Sequence, residues 1–293
     1  MKTLKFAIIG VGRIGKMHAA NISQNSKSEI ECIYDINYKL ANEVANLHKA
    51  SAVKTVEEAI NNERVDAVLI CSATPTHTKY ILSAAKAGKA IFCEKPIDLD
   101  IKKVNDCRKK LQKYKVPIQI GFNRRFDPSH NSAIERKNNG EIGKLEKIII
   151  TSRDPKPPPA DYIKVSGGMF RDMTIHDFDL ASFILKNDTI DEIFAMGEKL
   201  FSKDVKNNKD IDTAMIIMKS KSGVLCHINN SRHSSYGYDQ RIELFGSKGM
   251  LISDNHTVNS VKKFNKSQTN SKELVLNFFI ERYENAFKNQ LNS

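Results

Sequence analysis

The chain of 293 residues has no tryptophan, only five cysteines, and modest glycine and proline at 14 and 8. It also has no apolar run near the ~20 residues that a membrane-spanning helix needs. The ordinary glycine and proline content excludes collagen-like and low-complexity chains. The cysteines (Cys32, Cys71, Cys93, Cys107 and Cys226) are odd in number and form no CxxC pair. That argues against a disulfide framework or a zinc ribbon and for a reducing cytoplasm. Met1–Gly10 carries lysines and only a short apolar stretch, so it reads as a first strand rather than a leader peptide. What remains is a globular composition, 40% hydrophobic and 27% charged, long enough for two domains.

Lys+Arg number 46 against 34 Asp+Glu, a net charge of +12. A basic balance invites a nucleic-acid partner. Yet no zinc-finger spacing or aromatic–basic motif accompanies it, and the chain is rich in Asn, Lys and Ile, the bias an AT-rich genome imposes. The lysines read as a solvated surface, and neither a nucleic-acid nor a membrane partner is expected.

Up to residue 122, apolar runs of strand length alternate with helical segments. Strands are expected at Leu4–Ile9, Glu29–Tyr34, Val65–Cys71, Ala90–Cys93 and Ile118–Gly121, and helices at Arg13–Ser23, Tyr38–Leu47 and Thr78–Ala87. Thr55 and Glu58 read as a capping box opening a further short helix. Such alternation implies an α/β domain with a doubly wound parallel sheet over residues 1–122. From 123 to 293 the pattern changes. Strands are expected at Lys147–Ser152, Ile190–Met196, Thr213–Met218, Val224–Asn229 and Arg241–Phe245, with hairpin signals at Lys221–Gly223 and Ser247–Gly249 and one long helix over Asp172–Leu185. This second domain is α+β, built on a largely antiparallel sheet.

Gly10-Val-Gly12-Arg13-Ile14-Gly15 lies between the first strand and the first helix. The first glycine allows a tight turn, the second lets the backbone approach a pyrophosphate, and the third lets helix and strand pack closely. The helix N-terminus then offers N–H groups to the phosphates. Asp35, at the end of the second strand, can accept from both ribose hydroxyls and repels a 2′-phosphate. The neighbouring Ile36 and Asn37 supply no cation, so NAD is favoured over NADP.

Glu94-Lys95-Pro96 follows the Ala90–Cys93 strand, at the edge where such sheets bind ligands. Lys95 there can hydrogen-bond a substrate hydroxyl, although alone it reads more often as a surface lysine. On the helix after Gly167-Gly168, at 100° per residue, His176 lies about 40° and Asp179 about −20° from Asp172, so the three share a face. A histidine is a suitable base for an alcohol proton, and a neighbouring carboxylate can orient it and stabilise its charged form. The residues alone leave open a polar stripe that faces water. A metal held by His176 with the two aspartates also stays open, but the spacing is not HExxH and no second histidine is near; no metal is expected. His48 and His130 read as structural.

With Ser72-Ala-Thr74-Pro-Thr-His77, Gly121-Phe-Asn123-Arg124-Arg-Phe-Asp127, Ser152-Arg-Asp154-Pro155 and Tyr236-Gly-Tyr-Asp-Gln-Arg-Ile-Glu243 added, the chain resembles the Gfo/Idh/MocA family of NAD(P)-dependent sugar and polyol dehydrogenases. The last two blocks resemble its inositol branch. The resemblance implies a Rossmann domain followed by a substrate domain with an open, mainly antiparallel sheet, commonly assembled as a tetramer through that sheet. It implies Lys95, Asp172 and His176 as the catalytic trio. Ser72, Thr74, His77 and Glu94 are placed along the cofactor, and Asn123, Arg124, Asp154, Asp179, Tyr236 and Tyr283 around a polyol. The implied reaction is oxidation of myo-inositol to 2-keto-myo-inositol (scyllo-inosose); the alternatives are another cyclitol or sugar, or an inactive nucleotide-binding remnant. Members of the branch run further than Ser293, so an early stop in a once-longer gene is expected, with the apolar stripe Leu276, Phe279, Ile280, Tyr283 and Phe287 still docking a last helix.

If Asp35 sets cofactor choice, NADP should show a clearly lower kcat/KM than NAD in steady-state assays; equal values would reject the assignment.

Overall fold

The computed structural model describes residues 2–255 and 279–292, in two compact units. The first comprises residues up to Asn123 together with Tyr283–Ser293, and the second Arg124–Arg282.

The first unit alternates β1 (Leu4–Ile9), α1 (Arg13–Gln24), β2 (Ser28–Tyr34), α2 (Tyr38–Leu47), β3 (Ser51–Ala52), α3 (Val56–Asn61), β4 (Ala67–Ile70), α4 (His77–Lys86), β5 (Ala90–Cys93), α5 (Ile101–Leu111) and β6 (Ile118–Ile120). Its strands run parallel in the order β3-β2-β1-β4-β5-β6. Successive residues of the central strands enter opposite cores. Ala7, Ile9, Val68, Ile70, Ile91 and Cys93 face one, and Phe6, Ile8, Ile33, Leu69 and Phe92 the other. That two-sided burial is why these strands read as unbroken apolar runs. The expected capping box is displaced by one residue: Glu58 N–H donates to Thr55 Oγ1 at 3.1 Å, but the Glu58 carboxylate accepts from Lys54 N–H, also at 3.1 Å, instead of from Thr55.

The second unit contains α6 (Pro128–Asn138), β7 (Leu145–Arg153), α7 (Ala160–Ser166), a π-helical turn (Phe170–Thr174), α8 (Ile175–Leu185), β8 (Ile190–Glu198), α9 (Lys203–Asn207), β9 (Thr213–Ser220), β10 (Leu225–Ser231), β11 (Asp239–Gly246) and β12 (Gly249–Ser253). The sheet order is β12-β11-β7-β10-β9-β8, antiparallel except for the central β7/β10 pair. One face packs under α8 through Leu180, Ala181, Ile184, Ile148, Ile150, Ile216, Ile228 and Leu244. On the other, Phe194 pairs with Ile217 and Met196 with Met215 across β8 and β9, and all four are exposed.

The structure also departs from the expectations at the start of α8 and at the last helix. The expected continuous helix from Asp172 is interrupted, because its first turn is π-helical. The turn follows two glycines at positive φ, Gly167 and Gly168, and Asp210 Oδ1 accepts from Met169 N–H at 3.0 Å just before it. The last helix, α10 (Phe279–Asn292), belongs from Tyr283 onward with the first unit, whereas everything after residue 122 was expected in the second. Phe287 stacks on Phe6 with centroids 5.2 Å apart, and Gln119 Nε2 donates to the Ala286 carbonyl at 3.3 Å. Leu276 of the expected apolar stripe lies outside the described residues, and so do the side chains of Phe279 and Ile280.

Candidate active site

In the first unit the glycine turn has the shape a dinucleotide requires. Gly10 has φ +92°, and a Cβ there would sit 2.7 Å from Ser72 N; a Cβ on Gly15 would sit 2.1 Å from the Gly10 carbonyl. Both positions are closed to any side chain. Gly12 is the opposite, since a Cβ there meets nothing within 4 Å, which leaves open space where the backbone must admit a pyrophosphate. Arg13 and Ile14 follow at the first turn of α1, whose leading N–H groups have no intrahelical acceptor. Asp35 accepts from Val11 N–H at 2.8 Å and from Asn37 N–H at 2.9 Å. Two lone pairs of that carboxylate are thereby used and its orientation is fixed, with acceptor capacity left for a ribose. The residues present fit NAD.

At the carboxyl edge, Ser72 Oγ and Thr76 Oγ1 are 2.6 Å apart, and Thr74 opens the short 3-10 turn between β4 and α4. His77, expected along the cofactor, is 1% exposed. Its Nδ1 faces the Pro96 carbonyl at 2.8 Å and its Nε2 the Ser72 carbonyl at 2.9 Å. The ring therefore sits wedged between the β4 and β5 loops, with Lys95 in the second of those loops. Tyr283, expected at the polyol, packs instead in the first unit against His18 with centroids 4.8 Å apart. Burial, with Glu94 and Cys71 adding to it, holds its phenol well above the usual tyrosine range. Asn123 lies at the end of this unit, buried, and hydrogen-bonds Tyr283.

In the second unit the centre is a residue the sequence reading passed over. Asp177 has no exposure. It accepts from Arg124 Nη1, from Ser152 Oγ at 2.9 Å and from Asn230 Nδ2 at 2.9 Å, and Thr174 Oγ1 donates to Asn230 Oδ1 at 2.6 Å. Arg124, expected to bind substrate, is thus bound to a buried acid. Asp179 is also taken: Arg125 Nε and Nη2 donate to its two oxygens at 2.8 and 2.5 Å.

Asp172 is held from two sides, by the Tyr162 hydroxyl on Oδ1 at 2.8 Å and by Arg232 Nη2 on Oδ2 at 3.2 Å. Arg232 is 1% exposed and also lies 3.8 Å from Asp210 Oδ2. His176 follows on the first turn of α8, on a side of the helix that Asp177 leaves. The Asp154 carboxyl is pushed up to about 6 by burial; Arg124 and Arg232 oppose the rise, and Asp172 and Asp177 add to it. Tyr236 is half-exposed and hydrogen-bonds Asp239 and Arg153, each at 2.8 Å. His130 hydrogen-bonds Ser253 Oγ at 2.7 Å inside the unit, as a structural histidine does. Among the described residues, no three His, Cys, Asp or Glu side chains are grouped to hold a metal, and no helix is long and apolar enough to cross a membrane.

A glycine-turn dinucleotide site in one unit and a helix carrying an acid and a histidine in the other define a nicotinamide-dependent oxidoreductase. Comparison with known proteins agrees. The model of the oxidoreductase family with an NAD-binding Rossmann fold matches residues 4–122, and that of the GFO/IDH/MocA C-terminal domain matches residues 130–252. The chain is 42% identical over 291 residues to a myo-inositol 2-dehydrogenase of Thermotoga maritima, covering 99% of this chain and 86% of that protein. It is 40% identical to an inositol 2-dehydrogenase of Rhizobium meliloti, covering 99% and 87%. A crystal structure of a myo-inositol dehydrogenase from Corynebacterium glutamicum superposes with TM-score 0.92 at 44% identity over 99% of this chain and 86% of that one. A scyllo-inositol dehydrogenase from Lactobacillus casei, solved with NAD(H) and scyllo-inositol, superposes with TM-score 0.90 at 27% identity over 99% and 88%. The chain belongs to the Gfo/Idh/MocA family of oxidoreductases, and its first unit is that family's NAD-binding Rossmann domain.

Asp154 makes the stability of the second unit depend on pH. A carboxyl raised in the fold from 3.8 to about 6 contributes stability that is full below its unfolded pKa and is lost as pH rises through 6. Between pH 4 and 7, the urea midpoint of Asp154→Asn should therefore gain on the parent's. Parallel curves would show that Asp154 titrates normally.

Proposed function

We propose that the protein oxidises myo-inositol to 2-keto-myo-inositol with NAD as its coenzyme. The observation that carries the proposal is Asp172, fixed by Tyr162 and Arg232 one helical turn before His176 on a helix pinned by Asp177. Similarity over nearly the whole chain to inositol 2-dehydrogenases supplies the substrate class.

In this reading His176 takes the hydroxyl proton, and the Asp172 carboxylate balances the charge that the ring gains. Lys95 donates a hydrogen bond to the same oxygen, favouring its alkoxide character as the C–H bond breaks. Bound NAD+ supplies the carbon that accepts the hydride, so one proton and one hydride leave as the C=O forms. Asn123, Asp154 and Tyr236 are assigned to the remaining hydroxyls, where any bond left unmade penalises a wrong isomer. Arg124 and Asp179 act behind them through Asp177 and Arg125. The unpaired cysteines suit a cytoplasmic enzyme.

The exposed row Phe194, Met196, Met215 and Ile217 on the outer sheet face supports a homo-oligomer, a tetramer in the reading above. Contiguous apolar side chains on adjacent strands are costly in water and suit a second copy of the same face.

Purified protein should reduce NAD on myo-inositol faster than on scyllo-inositol or glucose. His176→Ala should lower kcat by about 10²–10⁴-fold with unchanged NADH affinity; a fully active variant would remove the base assignment, and an inactive parent the reaction. In sedimentation velocity the parent should run as a multiple of 33.1 kDa and Ile217→Glu as a smaller species. A monomeric parent would discard the oligomer.

A further inference from the structure

Glu94 is the first residue after β5, on the carboxyl edge of the NAD-binding sheet, with its N–H donating to the Ile70 carbonyl at 2.9 Å. The residue is only 7% exposed. A carboxylate so placed is costly unless it is hydrogen-bonded and held for a donor. His18 Nε2 lies 2.8 Å from Glu94 Oε1. His18 is 1% exposed, one turn beyond Gly15 on α1, and its ring is clamped edge-on by Phe92 at 5.0 Å and Tyr283 at 4.8 Å. Its Nδ1 is buried with no hydrogen-bond partner among the described residues. A leucine would fill the space without that cost, so the presence of an imidazole is explained by its bond to Glu94. Gly121 completes the setting, since a Cβ there would lie 3.0 Å from the Glu94 carboxyl carbon and both its oxygens.

The bond spans the sheet end. α1 receives the pyrophosphate at its N-terminus, and β5 carries the Glu94-Lys95 pair; His18 joins the two past Cys71, whose Cβ lies 3.4 Å from where a Cβ on Gly15 would be. We propose that His18 is a positioning residue of the NAD site, seated by Tyr283 of the last helix, and that it aims the buried Glu94 carboxylate to accept from an N–H or O–H donor of the bound nucleotide. The inference concerns the NAD-binding unit alone and is independent of which polyol is oxidised.

The test is NADH titration by fluorescence, read beside the thermal midpoint of each free protein. His18→Gln can donate from the Nε2 position and should bind as the parent does. His18→Leu should weaken binding about tenfold, and so should His18→Asn, whose amide is too short to reach; either suffices if the other does not fold. In a Glu94→Gln background, His18→Leu should add less than twofold. The inference is overturned if Leu and Asn bind like the parent, if Gln loses as much as they do, or if the His18 and Glu94 losses multiply. A parent that binds NADH but oxidises no polyol would count only against the substrate reading.

Discussion

Asp177, a carboxylate wholly shielded from water, constrains the rest of the second unit. Leaving such a charge without a partner costs about 3–5 kcal/mol, so the chain must bring donors to it. They come from three separate segments: Arg124 at the unit's start, Ser152 on β7 and Asn230 on β10. β7 and β10 are the only parallel neighbours described in that sheet, and their polar ends converge under the first turn of α8. With Asp177 fixed inward, the rotation of α8 about its axis is fixed as well. His176 and Asp179 then fall on other sides of the helix, Asp179 on Arg125, and Asp172 is left to Tyr162 and Arg232. A helix held only by Leu180, Ala181 and Ile184 could tolerate a small roll; one held by a buried ion pair with directional hydrogen bonds cannot.

The first unit is governed by close approach. Gly10 and Gly15 let β1 and α1 meet with no side chain between them, and Ser72 and Cys71 close the other side. Above that contact two histidines act as ties. His77 joins the β4 and β5 loops through backbone carbonyls, and His18 joins α1 to Glu94. Both are buried, so their polar atoms serve the frame on which the nucleotide and Lys95 are set.

The fold was legible where burial is two-sided or strictly alternating. β1, α2 and β5 match the expected bounds, and the Gly10–Gly15 turn and Asp35 sit as their spacing implied. β3 was missed because two residues carry no periodicity. α6 was missed although Asp127 caps it by accepting from His130 N–H and Pro128 opens it, a start signal with only a weak apolar stripe behind it. The π turn at Phe170–Thr174 has no signature at 100° per residue. In the site, residue types were legible and their partners were not. Arg124 and Asp179 carry the charges a polyol pocket would use, but the residues that claim them, Asp177 and Arg125, are neighbours that periodicity cannot rank. Arg232 follows β10 as an unremarkable Ser-Arg-His, and nothing local marks it as the cation beside Asp172.

That allocation of charge bears on the substrate. Asp154, Asp172, Asp177, Asp179 and Asp210 face Arg124, Arg125 and Arg232 within one network. Each guanidinium is directed at an aspartate, and carboxylates outnumber them. A phosphorylated or carboxylated substrate would have to take a cation from an acid that is already buried or half-buried, leaving that acid uncompensated. A neutral polyol makes no such demand, because hydroxyls can donate to the carboxylate lone pairs that remain. The surplus of acids that makes the second unit a poor anion site therefore makes it a good one for a ring covered in hydroxyls.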